Sequence, residues 1–477
     1  MPPCYRARSM PAPDTVLEVL EARFDQAVED LVGLARIPSV SAANFDPAEV
    51  ERSAAAVVDL LRSTGLDRVE VLRLPDAHPY VVAEWLGAGP EAPTLVLYAH
   101  HDVQPPGRMD YWQTPAFEPT DRGDGRLYGR GVVDDKAGII VYAAAIRAWL
   151  EAEGRLPVNI KMVVDGEEEI GSVHLEEFLH RNRERLSADV VVLSDTSNLA
   201  EGLPSITTSL RGLVSIDVSV RALDHPLHSG MWGGAVPDAA TALGALLGRL
   251  IDAEGRSRVA GLEDDAPPLS AEEKQRLAAL PFDEAVFRSD AGMWGEARLT
   301  GEGEHSVYER LWLRPAIAVT ALEAMPLAEA ANQLIAEARA RVGIRLAPGQ
   351  NPERARDLVM DALRQDPPWG VEVELHCETL SPGWRTDPRG PAFDAACRAL
   401  AAGFGREAVF IGCGGSIPFV GPFSHELGGA PALLLGLEDP LCNAHGENES
   451  LHLGDFRSAI RAAAHLFAEL ASIPLHG

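Results

Sequence analysis

The sequence has little positive charge for its length. Its 42 lysine and arginine residues face 71 aspartate and glutamate residues, which leaves a formal net charge of −29 over 477 residues. Because phosphate groups repel such a chain, this balance argues against a nucleic acid or an anionic membrane as a partner. The excess of carboxylates is compatible with the binding of cations.

Cysteine is also scarce, with five residues, an odd number. They form no paired framework and no Cys-x-x-Cys motif, so we expect a reducing compartment, the cytoplasm, rather than secretion. Residues 1–14 lack the apolar segment of a secretory signal, and Met10 is a second candidate for the initiating residue. No apolar run reaches the length of a membrane span. The cysteines are Cys4, Cys377, Cys397, Cys413 and Cys442.

A chain of 477 residues is too long for one compact core, so two domains are expected. Strand-like and helix-like segments alternate in the first part, beginning with a helix predicted over Asp14–Ala35, and alternate again near the C-terminus. Such alternation is typical of an α/β fold with a mainly parallel sheet. We predict a catalytic domain from residues 1–211 and 380–477. Residues 212–379 would form an inserted, smaller α/β domain, with an irregular insertion over 253–314.

One stretch combines a buried strand with polar residues at its end. Thr94–Ala99 is apolar and rich in strand formers, and His100, His101 and Asp102 follow at once before two prolines. In open α/β sheets, ligands bind at the carboxyl ends of the strands. An imidazole is a good zinc ligand, and a carboxylate that accepts its other ring N–H fixes the tautomer. The alternative is an ordinary polar loop, and this stretch alone does not decide between them.

Four further stretches outside the predicted insertion carry acids or histidine. The first has two adjacent carboxylates between glycines, just before a predicted helix. The second has three consecutive carboxylates after an apolar strand. The third is a single aspartate after the strand that ends near residue 193, and the fourth is a histidine near the C-terminus. Each has an ordinary explanation as a helix cap, a solvated charge run or a turn. Repulsion nevertheless makes adjacent carboxylates costly unless a cation offsets it. The residues are Asp134 and Asp135, Glu167–Glu169, Asp195, and His445.

Two imidazoles and three carboxylates from these stretches form a ligand set with physical sense. Such a set suits two divalent ions of the zinc, manganese or cobalt type. One carboxylate can bridge two ions at ~3.5–4 Å and leave room for a shared hydroxide, while a further carboxylate serves as the base. The predicted ligands are His100, Asp134, Glu169, Asp195 and His445.

These motifs resemble the dinuclear metallopeptidase family that contains carnosinase-type dipeptidases, acetylornithine deacetylase, aminoacylase and carboxypeptidase G. The dipeptidase branch is the most similar, because it carries His-x-Asp-Val-Gln-Pro. The resemblance implies a zinc exopeptidase-like fold, with a mixed, mostly parallel sheet flanked by helices and an inserted dimerisation or lid domain. The matching segments keep the family's order: His100–Pro105, Gly129–Lys136, Glu168–Ser172, Leu227–Gly230 and Gly414–Pro418.

The resemblance also implies roles for the metal-site residues. His100 and Asp195 would hold one ion, Glu169 and His445 the other, and Asp134 would bridge them. Zinc is the first choice of metal, with manganese and cobalt as alternatives. Asp102 would orient His100, and Glu168 would be the general base. The Asp134–Asp135 peptide bond is expected to be cis.

Further roles concern the substrate and the quaternary structure. His228 would polarise the scissile carbonyl from the partner subunit, which implies a homodimer. Arg345 would clamp the substrate carboxylate, with Gly415 and Ser416 donating to the same group. Planar, bidentate recognition suits arginine.

The leading hypothesis is a metal-dependent hydrolase that cleaves dipeptides or small peptides with a free C-terminus. An N-acyl-amino-acid deacylase is the alternative within the family, and a non-catalytic scaffold is the alternative outside catalysis. The chain departs from the family where Cys413 replaces a common glutamate, where Ala99 replaces a frequent glycine, and where Asn332–Ile335 lacks a proline. The first and last changes bear on substrate identity. Cys413 itself has no neighbouring histidine in sequence that could activate it as a nucleophile.

Overall fold

The computed structural model describes residues 10–301, 303, 305–417 and 420–473. Cys4 and the first candidate start, Met1, lie outside these residues. The strands are β1 (Arg68–Leu72), β2 (Tyr80–Trp85), β3 (Thr94–His100), β4 (Thr120–Asp121), β5 (Arg126–Tyr128), β6 (Asn159–Asp165), β7 (Val190–Leu193), β8 (Ser205–Leu210), β9 (Gly212–Arg221), β10 (Leu227–His228), β11 (Ala316–Glu323), β12 (Gln333–Leu334), β13 (Glu337–Leu346), β14 (Glu372–Ser381), β15 (Trp384–Arg385), β16 (Val409–Cys413), β17 (Ala432–Leu435) and β18 (Ser450–His452).

Helices connect these strands. They are α1 (Asp14–Ala22), α2 (Phe24–Ala35), α3 (Pro47–Ser63), α4 (Lys136–Glu153), α5 (Leu175–Asn182), α6 (Ser229–Trp232), α7 (Ala239–Leu247), α8 (Ala271–Ala278), α9 (Glu284–Asp290), α10 (Val307–Trp312), α11 (Pro352–Arg364), α12 (Pro391–Phe404), α13 (Val420–Glu426) and α14 (Leu453–Ala471). Among the described residues, no helix combines the length and the apolar character that a membrane crossing requires.

The largest sheet has nine strands among the described residues. Its order is β1-β2-β6-β3-β7-β17-β8-β15, and β16 pairs with β8. The central strands β6, β3, β7 and β17 run parallel, whereas β1 pairs antiparallel with β2, and β2 with β6. Strand β8 pairs antiparallel with β17 and β15 but parallel with β16. Strands β3, β6 and β7 are buried along almost their whole length, as is typical of parallel strands with helices on both faces. The prediction of a mixed, mostly parallel sheet flanked by helices is confirmed.

The helices on one face of this sheet pack around α4. This helix contacts α1, α2, α14 and β3, and its buried side is almost entirely alanine, isoleucine, valine and tryptophan. The helix predicted over Asp14–Ala35 is in fact two helices. The chain breaks at Arg23, whose φ and ψ of −109° and 8° are not helical, and whose guanidinium forms an ion pair with Glu151 of α4 at 2.7 Å.

A second, smaller sheet is formed by four strands between residues 212 and 381. Its order is β11-β13-β9-β14, every pairing is antiparallel, and α7 and α11 pack against it. Alternate residues of β9 and β13 point into a separate apolar core with these two helices. The sequence predicted one sheet and two helices here, but strand β11 was not anticipated, because most of its side chains are exposed.

The segment 253–314 is more regular than its composition indicated. It contains the short helices α8, α9 and α10, so the prediction of a wholly irregular insertion is wrong. Capping boxes start two of them, with Ser270 and Glu273 on α8 and Ser306 and Glu309 on α10. The Ser-x-x-Glu spacing of these caps is visible in the sequence and was the missed signal. Helix α10 packs on β16.

Candidate metal centre

The parallel strands of the large sheet deliver polar residues to one edge. Strand β3 ends at His100, β6 ends at Asp165 just before Glu167–Glu169, and β7 ends two residues before Asp195. Because β6 and β7 both pair in parallel with β3, their carboxyl ends meet at the same edge. The apolar strands therefore bring the acidic residues that follow them to one edge of the sheet, although these residues are far apart in the sequence.

Asp134 lies between the two imidazoles. One of its carboxylate oxygens is 3.0 Å from Nε2 of His100, and the other is 3.0 Å from Nε2 of His445. Glu169 lies on the His445 side, with Oε2 3.1 Å from the same Nε2, and Asp195 lies on the His100 side, with Oδ1 4.0 Å from its Nε2. The structure thus brings all five predicted ligands together and gives Asp134 a central position.

Asp102 supports two parts of this cluster at once. Nδ1 of His100 lies 3.1 Å from the backbone oxygen of Asp102 and 3.4 Å from its Oδ1. The two carboxylate oxygens also accept hydrogen bonds from the backbone amides of Glu168 and Glu169, at 3.1 and 3.0 Å. Asp102 therefore fixes the imidazole plane and the acidic turn after β6 relative to each other, and only the first of these contacts was predicted.

The segment before α4 is held by a buried carboxylate from near the C-terminus. Glu449 accepts hydrogen bonds from the amides of Gly131 and Val133, at 3.0 and 3.1 Å, and pairs with Arg130 at 2.5 Å. The Asp134–Asp135 peptide bond is cis, as the resemblance implies. The segment thus presents Asp134 to both imidazoles while Glu449 binds its backbone.

Close packing explains a glycine of the same motif. A Cβ on Gly138 would lie only 2.1 Å from Oγ of Ser194 and 2.3 Å from Oδ1 of Asp135. The Ser194 hydroxyl donates to Asp135 at 3.0 Å, so this contact ties the start of α4 to the end of β7. Any larger residue at 138 would displace Ser194 or Asp135 and disturb the contact between α4 and β7.

Burial sets the protonation tendencies of the acids. It raises the pKa of Glu168, of Glu169 and of Asp195 above the usual range, and neighbouring carboxylates add to the effect. Although burial also acts on Asp134, hydrogen bonds from His100 and His445 lower the pKa of that carboxyl. So many buried carboxylates favour a cation among them.

The donor set fits divalent ions. Imidazole nitrogen with carboxylate oxygen is the combination that zinc and manganese accept. Three overlapping groups have ligand atoms within 4.8 Å of one another: His100 with Glu168 and Asp195, His100 with Asp134 and Glu169, and Asp134 with Asp195 and Glu438.

A second cluster joins the two sheets. Nη1 of Arg345 donates to Oγ of Ser416 at 3.0 Å, and that hydroxyl donates to the backbone oxygen of Arg211 at 2.6 Å. The amide of Gly415 contacts Sγ of Cys413 at 3.3 Å. The structure thus brings together Arg345, Gly415 and Ser416, the three residues predicted to bind the substrate. Pro418, which ends their motif, lies outside the described residues.

His228 and Cys413 are in contrasting surroundings. The His228 side chain is exposed at the start of α6, where its Nδ1 accepts from the amide of Gly230 at 3.1 Å. No metal-centre residue is among its hydrogen-bond partners in the portion of the chain that the structure describes. Burial raises the pKa of the Cys413 thiol, which disfavours the thiolate that a nucleophile requires.

The model of the peptidase family M20/M25/M40 matches residues 96–469, most of the chain and every predicted metal ligand. The chain belongs to this peptidase family. The sequence-based assignment to dinuclear metallopeptidases is therefore confirmed, and the matched range includes the whole cluster around Asp134.

Named relatives of this M20-family chain are dipeptidases. A cysteinylglycine-S-conjugate dipeptidase from Corynebacterium striatum is 33% identical over 404 residues, which cover 84% of this chain and 86% of that protein. The human Beta-Ala-His dipeptidase is 30% identical over 443 residues, with 89% and 86% covered. The crystal structure of human carnosine dipeptidase 1 superposes with a TM-score of 0.84 at 28% identity, covering 97% of this chain and all of that one.

Several supporting residues of this M20 site were missed from the sequence. Gln104 donates to Glu169 through its backbone amide and its side chain, at 3.0 and 2.8 Å. Glu449, Arg211 and Glu438 were not singled out. Gln104 stands within the motif His100–Pro105, and Glu449 stands four residues after His445, so their positions were the available signal. Arg211 and Glu438 are placed only by the fold.

Proposed function

We propose that this M20-family chain is a metal-dependent hydrolase of dipeptides or small peptides that carry a free C-terminal carboxylate. The observation that carries the proposal is the position of Asp134, with one oxygen toward each imidazole. The dipeptidase names of the relatives support the substrate class. Zinc is the first choice of metal, with manganese and cobalt as alternatives.

The ligand roles follow the geometry of the cluster. His100 and Asp195 would hold one ion, Glu169 and His445 the other, and Asp134 would serve both. Two divalent ions held there would acidify a water and polarise the scissile carbonyl. The protein keeps its own ligands in place through Asp102 and Gln104, which bind His100, Glu169 and the amide of Glu168.

Glu168 is the general base of the proposal. Its backbone is fixed by Asp102, and its ligand atom lies near those of His100 and Asp195. Its carboxylate takes a proton from the attacking water and then delivers that proton to the nitrogen of the leaving amine. Burial raises the pKa of Glu168, which favours the acceptance of a proton by this carboxylate.

The substrate carboxylate binds on the far side of the scissile bond. Arg345 offers a planar guanidinium, and Ser416 is already hydrogen-bonded to it. The backbone amide of Gly415 is a further donor in the same loop. Because Arg345 lies on β13 of the smaller sheet and the loop follows β16 of the large one, substrate binding would join the two sheets.

We further propose that residues 1–211 and 380–477 form the catalytic domain and residues 212–379 the lid and dimerisation domain. The two sheets have separate apolar cores, which supports this division. A homodimer is supported by exposed apolar residues next to His228, namely Met231 at 77% and Trp232 at 48% exposure. Such side chains mark an interaction surface when they lie together.

Subunit complementation tests the role of His228 across the dimer. His228→Ala and Glu168→Gln subunits should each be nearly inactive alone, since one lacks the carbonyl-polarising group and the other the base. A mixed dimer has one site with both defects and one with neither, so activity should return when subunits exchange. Exchange is followed independently by mass spectrometry of differently tagged chains. Exchange without recovered activity would show that His228 does not act on the partner's site.

The alternative activity is deacylation of N-acyl-amino acids. It remains an alternative because Cys413 stands where a glutamate is common in the family, in a loop predicted to contact the substrate. A panel of matched substrates separates the two. For each leaving amino acid, we would compare the alanyl dipeptide with the acetyl derivative, using enzyme stripped of metal and reloaded with zinc, manganese or cobalt. We expect the dipeptides to have the higher kcat/KM. Preference for the acetyl series would establish the deacylase.

We propose a cytoplasmic location, supported by the small number of cysteines and their scattered positions. Cys377, Cys413 and Cys442 are free thiols. Neither a nucleic acid nor a membrane is proposed as a partner, given the net charge of −29. Cell fractionation with an antibody to the chain tests the location directly.

A further inference from the structure

Glu438 lies beside the metal centre although no motif singled it out. It follows strand β17, which pairs in parallel with β7, the strand that precedes Asp195. Beyond the strand ends the two segments stay together: Ser197 and Glu438 form an isolated parallel bridge, and the amide of Asn198 donates to the backbone oxygen of Glu438 at 2.8 Å. The fold therefore places residue 438 next to Asp195.

The side chain of Glu438 is directed toward two predicted ligands. Ligand atoms of Glu438, Asp134 and Asp195 lie within 4.8 Å of one another. The Ser197 hydroxyl donates to Oε2 of Glu438 at 2.9 Å, which fixes the carboxylate in this orientation. Over the part of the chain that the structure describes, no lysine or arginine forms a salt bridge with Glu438.

Three carboxylates at this spacing repel one another unless a cation lies between them. Asp134 and Asp195 are the carboxylates that the proposed function assigns to the ion held by His100. We propose that Glu438 is a further carboxylate ligand of that same ion. This inference rests on the proposed function, because it presupposes the ion at His100 and Asp195.

A fourth protein ligand makes the two metal positions unequal. The His100 position then has one imidazole and three carboxylates, counting the shared Asp134. The His445 position has one imidazole and two carboxylates, Glu169 and Asp134. Carboxylate oxygen favours harder ions such as manganese, and the larger ligand number suits their higher coordination. The His100 position would therefore select manganese over zinc more strongly than the His445 position does.

Metal binding by the full chain tests this directly, without a substrate. Stripped wild type, E438Q and the control E201Q would be titrated with Mn²⁺, with bound metal measured by mass spectrometry and the paired-ion signal by electron paramagnetic resonance. Glu201 is a matched acid because it lies in the segment between β7 and β8, which runs beside Glu438 at Ser197, but its side chain is 46% exposed and pairs with Arg126. Gln keeps the size of Glu438 and can still accept from Ser197.

We expect two Mn²⁺ ions per chain in wild type and E201Q. In E438Q one ion should bind normally, and the other about 10–100-fold more weakly, the usual consequence of disturbing a metal site's supporting ligands. E438D, which keeps the charge but shortens the side chain, provides a second variant if E438Q does not fold, and should show the same selective loss.

The outcomes separate the two levels of the proposal. D195N is the reference, since it removes a ligand that the proposed function requires. If D195N loses an ion while E438Q and E438D bind both ions as wild type does, Glu438 is not a ligand and the proposed function stands. If D195N itself retains both ions with unchanged affinity, the assignment of the first position fails, and the inference on Glu438 fails with it.

Discussion

Asp134→Ala should bind neither metal ion tightly and should show no measurable peptidase activity. Its two oxygens each lie 3.0 Å from a different imidazole, so removing the side chain takes a ligand from both metal positions at once. Replacement of Asp195 or Glu169 removes a ligand from one position only. The expected order of metal loss is therefore Asp134→Ala first, with the two single-position variants retaining about one ion per chain.

Metal content after dialysis and activity on a dipeptide are the two measurements. Asp124→Ala is the control, because Asp124 is an exposed acid of the same region that binds Tyr128 and lies away from the cluster. Chelation of wild type should reproduce the Asp134→Ala phenotype, and added zinc or manganese should restore the wild type but not the variant. Full turnover by the chelated, metal-free enzyme would end the metal-dependent proposal.

The sequence predicts which side chains meet at this site because each predicted ligand stands at the end of a strongly apolar strand or inside a compact motif. Thr94–Ala99 is a buried parallel strand, as its composition indicates, and His100 completes it. The acids after β6 and β7 then reach the same edge because parallel strands end together. The apolar patterns of the strands, together with the rule that parallel strands end at the same edge of a sheet, are enough to predict that these residues lie together.

Contacts between distant segments are what the sequence does not reveal. Asp102 binds two amides that follow a different strand, and Glu449 binds amides more than 300 residues before it. Glu438 reaches Asp195 only because β17 happens to lie beside β7 in the sheet. No spacing encodes such pairings, since they depend on the order of strands in the finished sheet.

The smaller sheet shows a second limit. Strand β11 is almost wholly exposed in this single chain, so its residues lack the alternation of buried and exposed positions that identifies a half-buried strand. The short helices of residues 253–314 are polar and were likewise not predicted, although the Ser-x-x-Glu capping boxes of α8 and α10 are visible in the sequence. Elements with little apolar burial leave a weak periodic signal, and caps are then the better guide.

Glu168→Gln should lower kcat by ~10²–10⁴ while the metal content stays at the wild-type value. The amide of the new side chain keeps the size of the carboxylate, but it cannot take a proton from water or return one to the leaving amine.

Glu169→Gln differs in its expected phenotype, because Glu169 lies 3.1 Å from His445 and its carboxylate receives two hydrogen bonds from Gln104, as a ligand held in place would. It should lose metal, and excess metal in the assay should restore part of its activity. Added metal should not help Glu168→Gln. The decisive measurement is metal content beside kcat for both variants, since the two residues are adjacent glutamates. If Glu168→Gln lost the metal and Glu169→Gln kept it with a lowered kcat, the base and the ligand would have to be exchanged. The observed contacts argue against that exchange. Asp102 binds the amides of both residues, whereas Gln104 binds the carboxylate and the backbone oxygen of Glu169 and so holds that residue in place. The Glu168 carboxylate lies beside His100 and Asp195, where it can carry the proton.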